Sequence, residues 1–420
     1  MLRSKIEFFY FCRKVIEMRK HTLCILLLVV LASFSASAQK NRYSSIVFSQ
    51  HHFVDTVKIR VWDGAVIIPV EINGETKNLM FDTGAGRGFW IGEEEEWMTP
   101  SGNNITVTDA SLAVKKKAIM RMPPIKMGNI TIENYPMVVD NGLSDYICDR
   151  FDGALGFDLA ACGLSFKFDT KDSLMIVTDR KGFFSKEEEK WPAMKYKWYH
   201  KTNPKVWVQF PFFRVKVLFD SGAMGGWVDL SEEFMTRWAA AAPKLRQRLD
   251  EVTVLQDTTV FNTAGLFGRL EDTIPYRIFH FPEVEMGGIT LKDVWVSTDK
   301  RLGKVGSSIL EHNSLIINGH KRCLVLMPHE DHTVQHVGNE DTKGLKLILA
   351  DKSDTLGVLK AVVRKDGEAY RKGIRSGDYL ESVNGISITD YCTYLHLIKE
   401  DGVQHCVFRS PEGTRKEVEW

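Results

Sequence analysis

Phe81-Asp82-Thr83-Gly84-Ala85-Gly86 closes an apolar run that includes Leu79 and Met80, and Val217-Leu218-Phe219-Asp220-Ser221-Gly222-Ala223 writes the same pattern again with Ser for Thr. In each copy a strand-like stretch ends on a carboxylate. A hydroxyl residue follows, then a glycine that permits a tight turn. One copy alone reads as a polar turn capping a strand. Two copies inside a duplicated chain read differently, because a two-fold arrangement brings the carboxylates face to face.

Outward from these turns, two further landmarks recur in the same order. Met127-Gly128-Asn129-Ile130-Thr131-Ile132 matches Met286-Gly287-Gly288-Ile289-Thr290-Leu291, and each leads into an extended run, Tyr135 to Asp140 and Val294 to Asp299. At a fixed offset of 150, Leu155 and Gly156 correspond to Val305 and Gly306, Leu159 to Ile309, and Leu164 to Ser314. At the same offset, the run from Leu174 to Ile176 corresponds to that from Leu324 to Leu326. The chain therefore holds two related lobes, about Gln50 to Val177 and Lys201 to Met327. Upstream of Asp82, Thr56 to Trp62 and Ala65 to Ile72 alternate apolar and polar residues, and Asn73-Gly74 predicts a hairpin into the Asp82 strand. Ile105 to Thr108 and Ser111 to Val114 predict a hairpin overhanging the carboxylate, and Thr263 to Gly268 is a candidate mobile hairpin over Asp220. Ser231 caps a helix bearing Phe234, Met235, Trp238 and Leu245 that is interrupted near Pro243, and it reads as core packing.

Composition sets the bounds. The 420 residues are 44% hydrophobic and 26% charged, ordinary globular values with room for two or three domains. With 55 basic and 54 acidic side chains, nothing favours a nucleic-acid or membrane-surface partner. Arg19, Lys20 and His21 precede the apolar run Thr22 to Leu31, and Ala36-Ser37-Ala38 supplies a small-residue cleavage signal. Residues 1–38 thus predict a signal peptide, with Met18 as an alternative start, and an exported protein, periplasmic or secreted. The run is too short to span a bilayer, so membrane contact is transient and made through this segment. Removing Cys12 and Cys24 leaves Cys148, Cys162, Cys323, Cys392 and Cys406, an odd number. At least one is unpaired. Cys148 with Cys162 and Cys392 with Cys406 are candidate pairs, and buried free thiols are the alternative. His329, Glu330, Asp331, His332 and His336 read as a polar linker rather than a metal site.

Two aspartates sharing one proton can hydrolyse a peptide bond without cofactor or metal. Like charges a few ångströms apart do not both ionise, so one pKa falls and the other rises. The base then takes a proton from water while the acid donates to the carbonyl oxygen. Asp82 and Asp220 are the candidate catalytic pair. Gly84 and Gly222 let backbone N–H groups approach the carboxylates, and the Thr83 and Ser221 hydroxyls can bond across to the opposite lobe.

These lobes resemble retropepsin-like aspartyl proteases, which carry Asp-Thr-Gly-Ala and a later apolar-apolar-Gly segment. Ala154-Leu155-Gly156 matches that segment, whereas the second copy has Lys304 where an apolar residue is expected. The likeness covers roughly residues 50 to 327 and follows the pepsin-like plan, with both halves in one chain. It implies an exported aspartic-type endopeptidase acting on a peptide or protein substrate. Ala85 and Ala223 stand where a hydroxyl would help stabilise the ionised carboxylate, so the expected pH optimum is mildly acidic to near neutral.

The C-terminal part is a separate unit. Gly344-Leu345-Lys346-Leu347, Leu356 to Val363, Asp366-Gly367-Glu368-Ala369, Gly377-Asp378-Tyr379-Leu380 and Val383-Asn384-Gly385 together resemble a PDZ domain. That likeness implies a loop, Lys343, Gly344, Leu345, Lys346 and Leu347, that binds the C-terminal peptide of a partner as an added strand. Lys343–Leu347 carries lysine where many family members have a second glycine.

The expected fold is mainly β, a bilobal aspartic-protease-like β-barrel pseudodimer plus a small α+β PDZ-like domain. Its boundaries are 1–38 signal peptide, 45–180 lobe 1, 181–200 linker, 201–328 lobe 2, 329–340 linker and 341–420 PDZ-like domain. The alternatives are a catalytically inactive peptide-binding pseudoprotease and a PDZ-based scaffold.

Overall fold

Asn73 and Gly74 adopt φ of 52° and 79°, the left-handed geometry that a two-residue hairpin needs, so the alternating strands on either side fold back on each other. The structure is a computed structural model that describes residues 46–199, 203–260, 264–269, 273–330, 332–338, 342–350, 354–365, 367–398 and 402–420. The expected signal peptide with Cys12, Met18 and Cys24 lies outside these residues, as do Lys201, Thr263, Asp331 and Asp366. From Phe48 onward the chain forms one compact unit. It is mainly β, 49% strand and 14% helix. No helix among the described residues is long and apolar enough to cross a membrane.

In the first half, β1 (Ala65–Ile72), β2 (Glu75–Asp82), β3 (Gly88–Ile91), β4 (Thr99–Thr108), β5 (Val114–Arg121), β6 (Ile125–Met127), β7 (Ile130–Glu133), β8 (Pro136–Asp140) and β9 (Gly153–Gly156) belong to one sheet. From β1 its order runs β1-β2-β9-β3-β8-β5-β4. In the second half, β10 (Asn203–Phe210), β11 (Phe213–Phe219) and β12 (Val228–Ser231) lead into helices α1 (Glu232–Ala241) and α2 (Pro243–Val252). Then come β13 (Thr253–Val260), β14 (Thr273–Met286), β15 (Ile289–Asp299) and β16 (Lys304–Val305). The order is β10-β11-β16-β12-β15-β14-β13. The pairing senses repeat as well. β9 runs parallel to β2 and antiparallel to β3, as β16 does to β11 and β12. The duplicated words of the sequence are thus duplicated in topology.

A second sheet takes strands from both halves. Its order is Ala193–Lys195, Cys323–Pro328, Asn313–Asn318, Ser165–Asp169, Leu174–Thr178 and Val54–Lys58. Ser165 pairs with Asn318 and Phe168 with Leu315 across its centre. Phe81, from the Asp82 strand, packs against Phe166 and Phe168 at ring separations of 4.8 and 4.9 Å. The sheet therefore underlies the Asp82 strand through an aromatic core. Stretch 181–200 contributes a helix, Ser185–Lys190, and strand Ala193–Lys195. Stretch 329–340 contributes strand Val334–His336, parallel to β15.

Ser231 caps α1 by accepting the Phe234 N–H at 3.2 Å, and Pro243 breaks the helix and starts α2. Met235 is fully buried and Trp238 meets Phe213 of β11 edge-on at 5.5 Å, so this helix packs onto the second half's own sheet.

C-terminal strands β17 (Leu345–Leu349), β18 (Leu359–Val363), β19 (Tyr379–Val383), β20 (His405–Arg409) and β21 (Arg415–Glu419) form their own sheet, with helix α3 (Tyr391–Leu397) after β19. Leu359, Ile374, Leu380 and Phe408 are its buried centre. Here the expected cysteine pairs are corrected, because Cys148 bonds Cys392, 244 residues away. Cys148 ends the helix Ser144–Ile147 in a left-handed turn and Cys392 lies in the first turn of α3. The fold sets their Cα atoms 5.3 Å apart, within bonding range. Cys162, Cys323 and Cys406 are free thiols.

Candidate active site

Asp82 ends β2 and Asp220 follows β11, and each turn is built to present its carboxylate. The N–H groups of Gly84 and Ala85 donate to Asp82 Oδ1 at 2.7 and 3.0 Å, and the Gly222 N–H donates to Asp220 Oδ1 at 3.1 Å. The glycines also face the opposite turn. A Cβ on Gly222 would lie 2.5 Å from Cγ of Asp82, and one on Gly84 would collide with the Asp220 carboxylate. Only a residue without a side chain admits so close an approach.

The hydroxyls lock the two turns together. Thr83 Oγ1 donates to the Phe219 carbonyl at 2.6 Å and accepts the Ser221 N–H at 2.9 Å. Ser221 Oγ donates to the Phe81 carbonyl at 2.7 Å and accepts the Thr83 N–H at 3.0 Å. Both side chains are buried. Asn203, at the start of β10, adds a further tie, its amide donating to the carbonyls of Thr83 and Gly84.

Burial raises both carboxyls. Asp82 is pushed up to about 8 by burial and then by the Asp220 charge, against the N–H groups of Ala85 and Gly84. Asp220 is also raised by burial, but the Lys304 ammonium, the Gly222 N–H and a hydrogen bond from Asp82 pull it back. Like charges held this close do not both ionise, so the pair keeps one proton between its two carboxyls. One proton held between two buried aspartates is the arrangement that activates a water and polarises a carbonyl.

A second layer supports the Asp82 side. Gly156 is in register with Asp82, and its N–H donates to Tyr135 Oη at 2.9 Å. Tyr135 in turn donates to Asp158 Oδ1 at 2.8 Å, in a fully buried pair. Burial pushes Asp158 up to about 7, against the Tyr135 bond and the Arg87 charge.

Two hairpins cover this side. In the β4–β5 turn, Asp109 Oδ1 accepts the Ser111 hydroxyl at 2.7 Å and the Ala113 N–H at 3.1 Å. Its Oδ2 accepts the Phe267 N–H of the 264–269 hairpin at 2.7 Å. Lys115 sits 4.8 Å from the Phe267 ring centre. Leu266 is buried with Ile67, Met80 and Ala154, and Ala85, Ile105, Val107 and Phe267 close on that cluster. The 264–269 hairpin, expected over Asp220, thus docks on residues flanking Asp82.

The structure brings Asp82, Thr83, Gly84, Asp220, Ser221 and Gly222 together, and it places Leu345, Lys346 and Leu347 on β17 with Lys343 and Gly344 in the loop before it. There the Gly344 carbonyl accepts the Arg364 N–H and the Lys343 carbonyl accepts the Ala369 N–H, while β17 is an edge strand paired with β18. Lys346 stands 5.5 Å from the Tyr276 ring of β14. Sequence reasoning missed Asn203, Tyr135, Asp158 and Asp109. Of these, only Asp158 carries a local signal, two residues beyond the repeated Leu155-Gly156. No protein-family model matches the chain, and no curated protein matches it.

Proposed function

We propose that the protein is an exported aspartic endopeptidase, a bilobal single-chain relative in plan of the retropepsin-like enzymes, whose dyad Asp82/Asp220 activates water against a peptide bond. The observation that carries this reading is the mutual approach of the turns, with Gly84 against the Asp220 carboxylate and Gly222 against that of Asp82. A polar turn that merely ends a strand has no need of a second carboxylate at that distance. The paired glycines let each turn close on the opposite carboxylate, and the crossed hydroxyls hold that geometry without reorganisation. The C-terminal sheet, on this reading, is a PDZ-like module that takes partner or substrate peptides on β17 and raises their local concentration.

The test is cleavage of a diverse peptide mixture by the purified protein from acid to neutral pH, beside Asp82→Asn and Asp220→Asn. Cleavage by the wild type that is lost in both variants supports the reading. A wild type that binds peptides and cuts none moves the assignment to a peptide-binding pseudoprotease.

A further inference from the structure

Lys304 departs from the apolar pattern, and the fold shows what stands around it. Its counterpart in the first half is Ala154. Ala154 pairs with Met80 on β2, two residues before Asp82, and Lys304 pairs with Leu218 on β11, two residues before Asp220. Ala154 is fully buried and uncharged, and the Lys304 side chain is only 14% exposed. One aspartate therefore has an ammonium on the neighbouring strand and the other has a methyl group.

A buried ammonium is costly unless paired. Asp299, ending β15, holds Lys304 Nζ at 3.0 Å, and Asp229 on β12 lies at 3.8 Å. The Ser297 hydroxyl donates to the other oxygen of Asp229 at 2.5 Å. Burial opposes the charge on Lys304, and Asp299, Asp229 and Asp220 outweigh it and raise its pKa. The ammonium is thus permanently charged near neutral pH. Asp220 lies two residues beyond Leu218, the cross-strand partner of Lys304, on the turn that also meets Asp82, and its N–H is fixed to the Val305 carbonyl at 2.8 Å. An opposite charge on the neighbouring strand favours ionisation of a nearby carboxyl.

We propose that Lys304 is the positioning residue that divides the work of the dyad, holding Asp220 ionised as the base and leaving the shared proton on Asp82 as the acid. This rests on the endopeptidase reading above. Water loses a proton to Asp220 as its oxygen attacks the carbonyl carbon, and Asp82 gives its proton to the carbonyl oxygen. On collapse the proton on Asp220 passes to the leaving nitrogen as the C–N bond breaks, and one hydroxyl proton returns to Asp82. The dyad ends as it began. Lys304 touches no reacting atom and acts through the charge of Asp220 alone.

The experiment is a carbon-13 carboxyl titration of the aspartate-labelled full chain. The two resonances are assigned by their loss in Asp82→Asn and Asp220→Asn. Wild type is compared with Lys304→Met, with Lys304→Met/Asp299→Asn, which leaves fewer buried charges if the single variant misfolds, and with Lys304→Arg. The expected result is a lower titration belonging to Asp220, which rises by about one pH unit or more in both Met variants and holds in Lys304→Arg. The acidic limb of the kcat/KM profile moves with it. A lower titration belonging to Asp82, or one unmoved in a folded Met variant, overturns the proposal. Titrations that follow Lys304 in a protein that cuts nothing support the proton placement and sink the endopeptidase reading.

Discussion

Thr83 and Ser221 hold each other by their backbones and side chains at once, each N–H donating to the other's hydroxyl at 3.0 and 2.9 Å. Both hydroxyls then donate onward to the carbonyls of Phe219 and Phe81, so four bonds join two turns 138 residues apart in the chain. Thr83→Val removes the hydroxyl and leaves the Ser221 N–H and the Phe219 carbonyl buried without these partners. Each such loss costs about 1–3 kcal/mol, so urea unfolding is expected to show a deficit of roughly 2–6 kcal/mol. Thr83→Ser keeps the hydroxyl and is expected within about 1 kcal/mol of wild type. Equal stabilities for Val and Ser would show that the crossed bonds contribute nothing.

The proton on Asp82 makes stability depend on pH in a defined direction. In the unfolded chain this carboxyl titrates near its ordinary 3.8, and in the fold near 8. Between those values the native state holds a proton that the unfolded state has released. Its contribution is therefore fully present below about pH 4 and is lost as pH rises through 8, at up to about 1.4 kcal/mol per pH unit. Asp220, also raised, acts with the same sign. Asp82→Asn removes the titration and is expected to flatten the decline, leaving the variant more stable than wild type at pH 8. Urea midpoints at pH 5, 6, 7 and 8 measure this. On the proposed endopeptidase reading the chemistry uses the same proton, so cleavage is expected to persist toward neutrality and fall as Asp82 ionises, as the alanines at 85 and 223 also imply.

What the sequence made legible here is what is local. Phe81 to Gly86 and Val217 to Ala223 encode the turns, the carboxylates and the glycines within a few residues of each other, and the offset of 150 encodes the pairing of β9 with β2 and of β16 with β11. Asn203 was not legible, because an amide opening a strand becomes a tie to Thr83 only when β10 is laid beside the other half. The lobe boundary was blurred for a related reason. Asn313–Asn318 is buried along its whole length, which reads as the core of one lobe, yet it pairs with Ser165–Asp169 of the other. Lys304 was visible as a misfit, and only its partners on β12 and β15 explain how the charge is tolerated.

Cys148 and Cys392 join the segment before β9 to the helix that follows β19. Closing so long a loop restricts the unfolded chain, and breaking the bond is expected to cost about 2–4 kcal/mol. Cys148→Ser and Cys392→Ser break the same bond, so each is expected to lower Tm by a similar amount and the double variant by no more than either alone. Additive losses in the double variant would mean that each cysteine acts alone. Peptide mapping without reductant is expected to recover the 148–392 cross-link and leave Cys162, Cys323 and Cys406 alkylatable after unfolding.

Asp109 fastens one hairpin to the other. Its carboxylate accepts the Phe267 N–H with one oxygen and the Ser111 hydroxyl and Ala113 N–H with the other. The hairpins carry Ile105, Val107, Leu266 and Phe267 onto the cluster beside Ala85, so the cover over Asp82 is apolar while its latch is one carboxylate. Asp109→Ala removes the charged acceptor but leaves that apolar contact, and it is expected to loosen the cover without unfolding the protein. Hydrogen exchange of 264–269 and 105–113 is expected to quicken about tenfold, the effect of losing roughly 1.4 kcal/mol of closure, with the rest of the chain unchanged. If the cover must open for a peptide to enter, a latch loosened this way admits substrate faster, and single-turnover binding rises while the chemical step keeps its rate. Faster exchange with slower binding would instead make the closed hairpins part of the surface that grips the peptide. Unchanged exchange would locate the closure in the Leu266 and Phe267 contacts and remove the latch from Asp109.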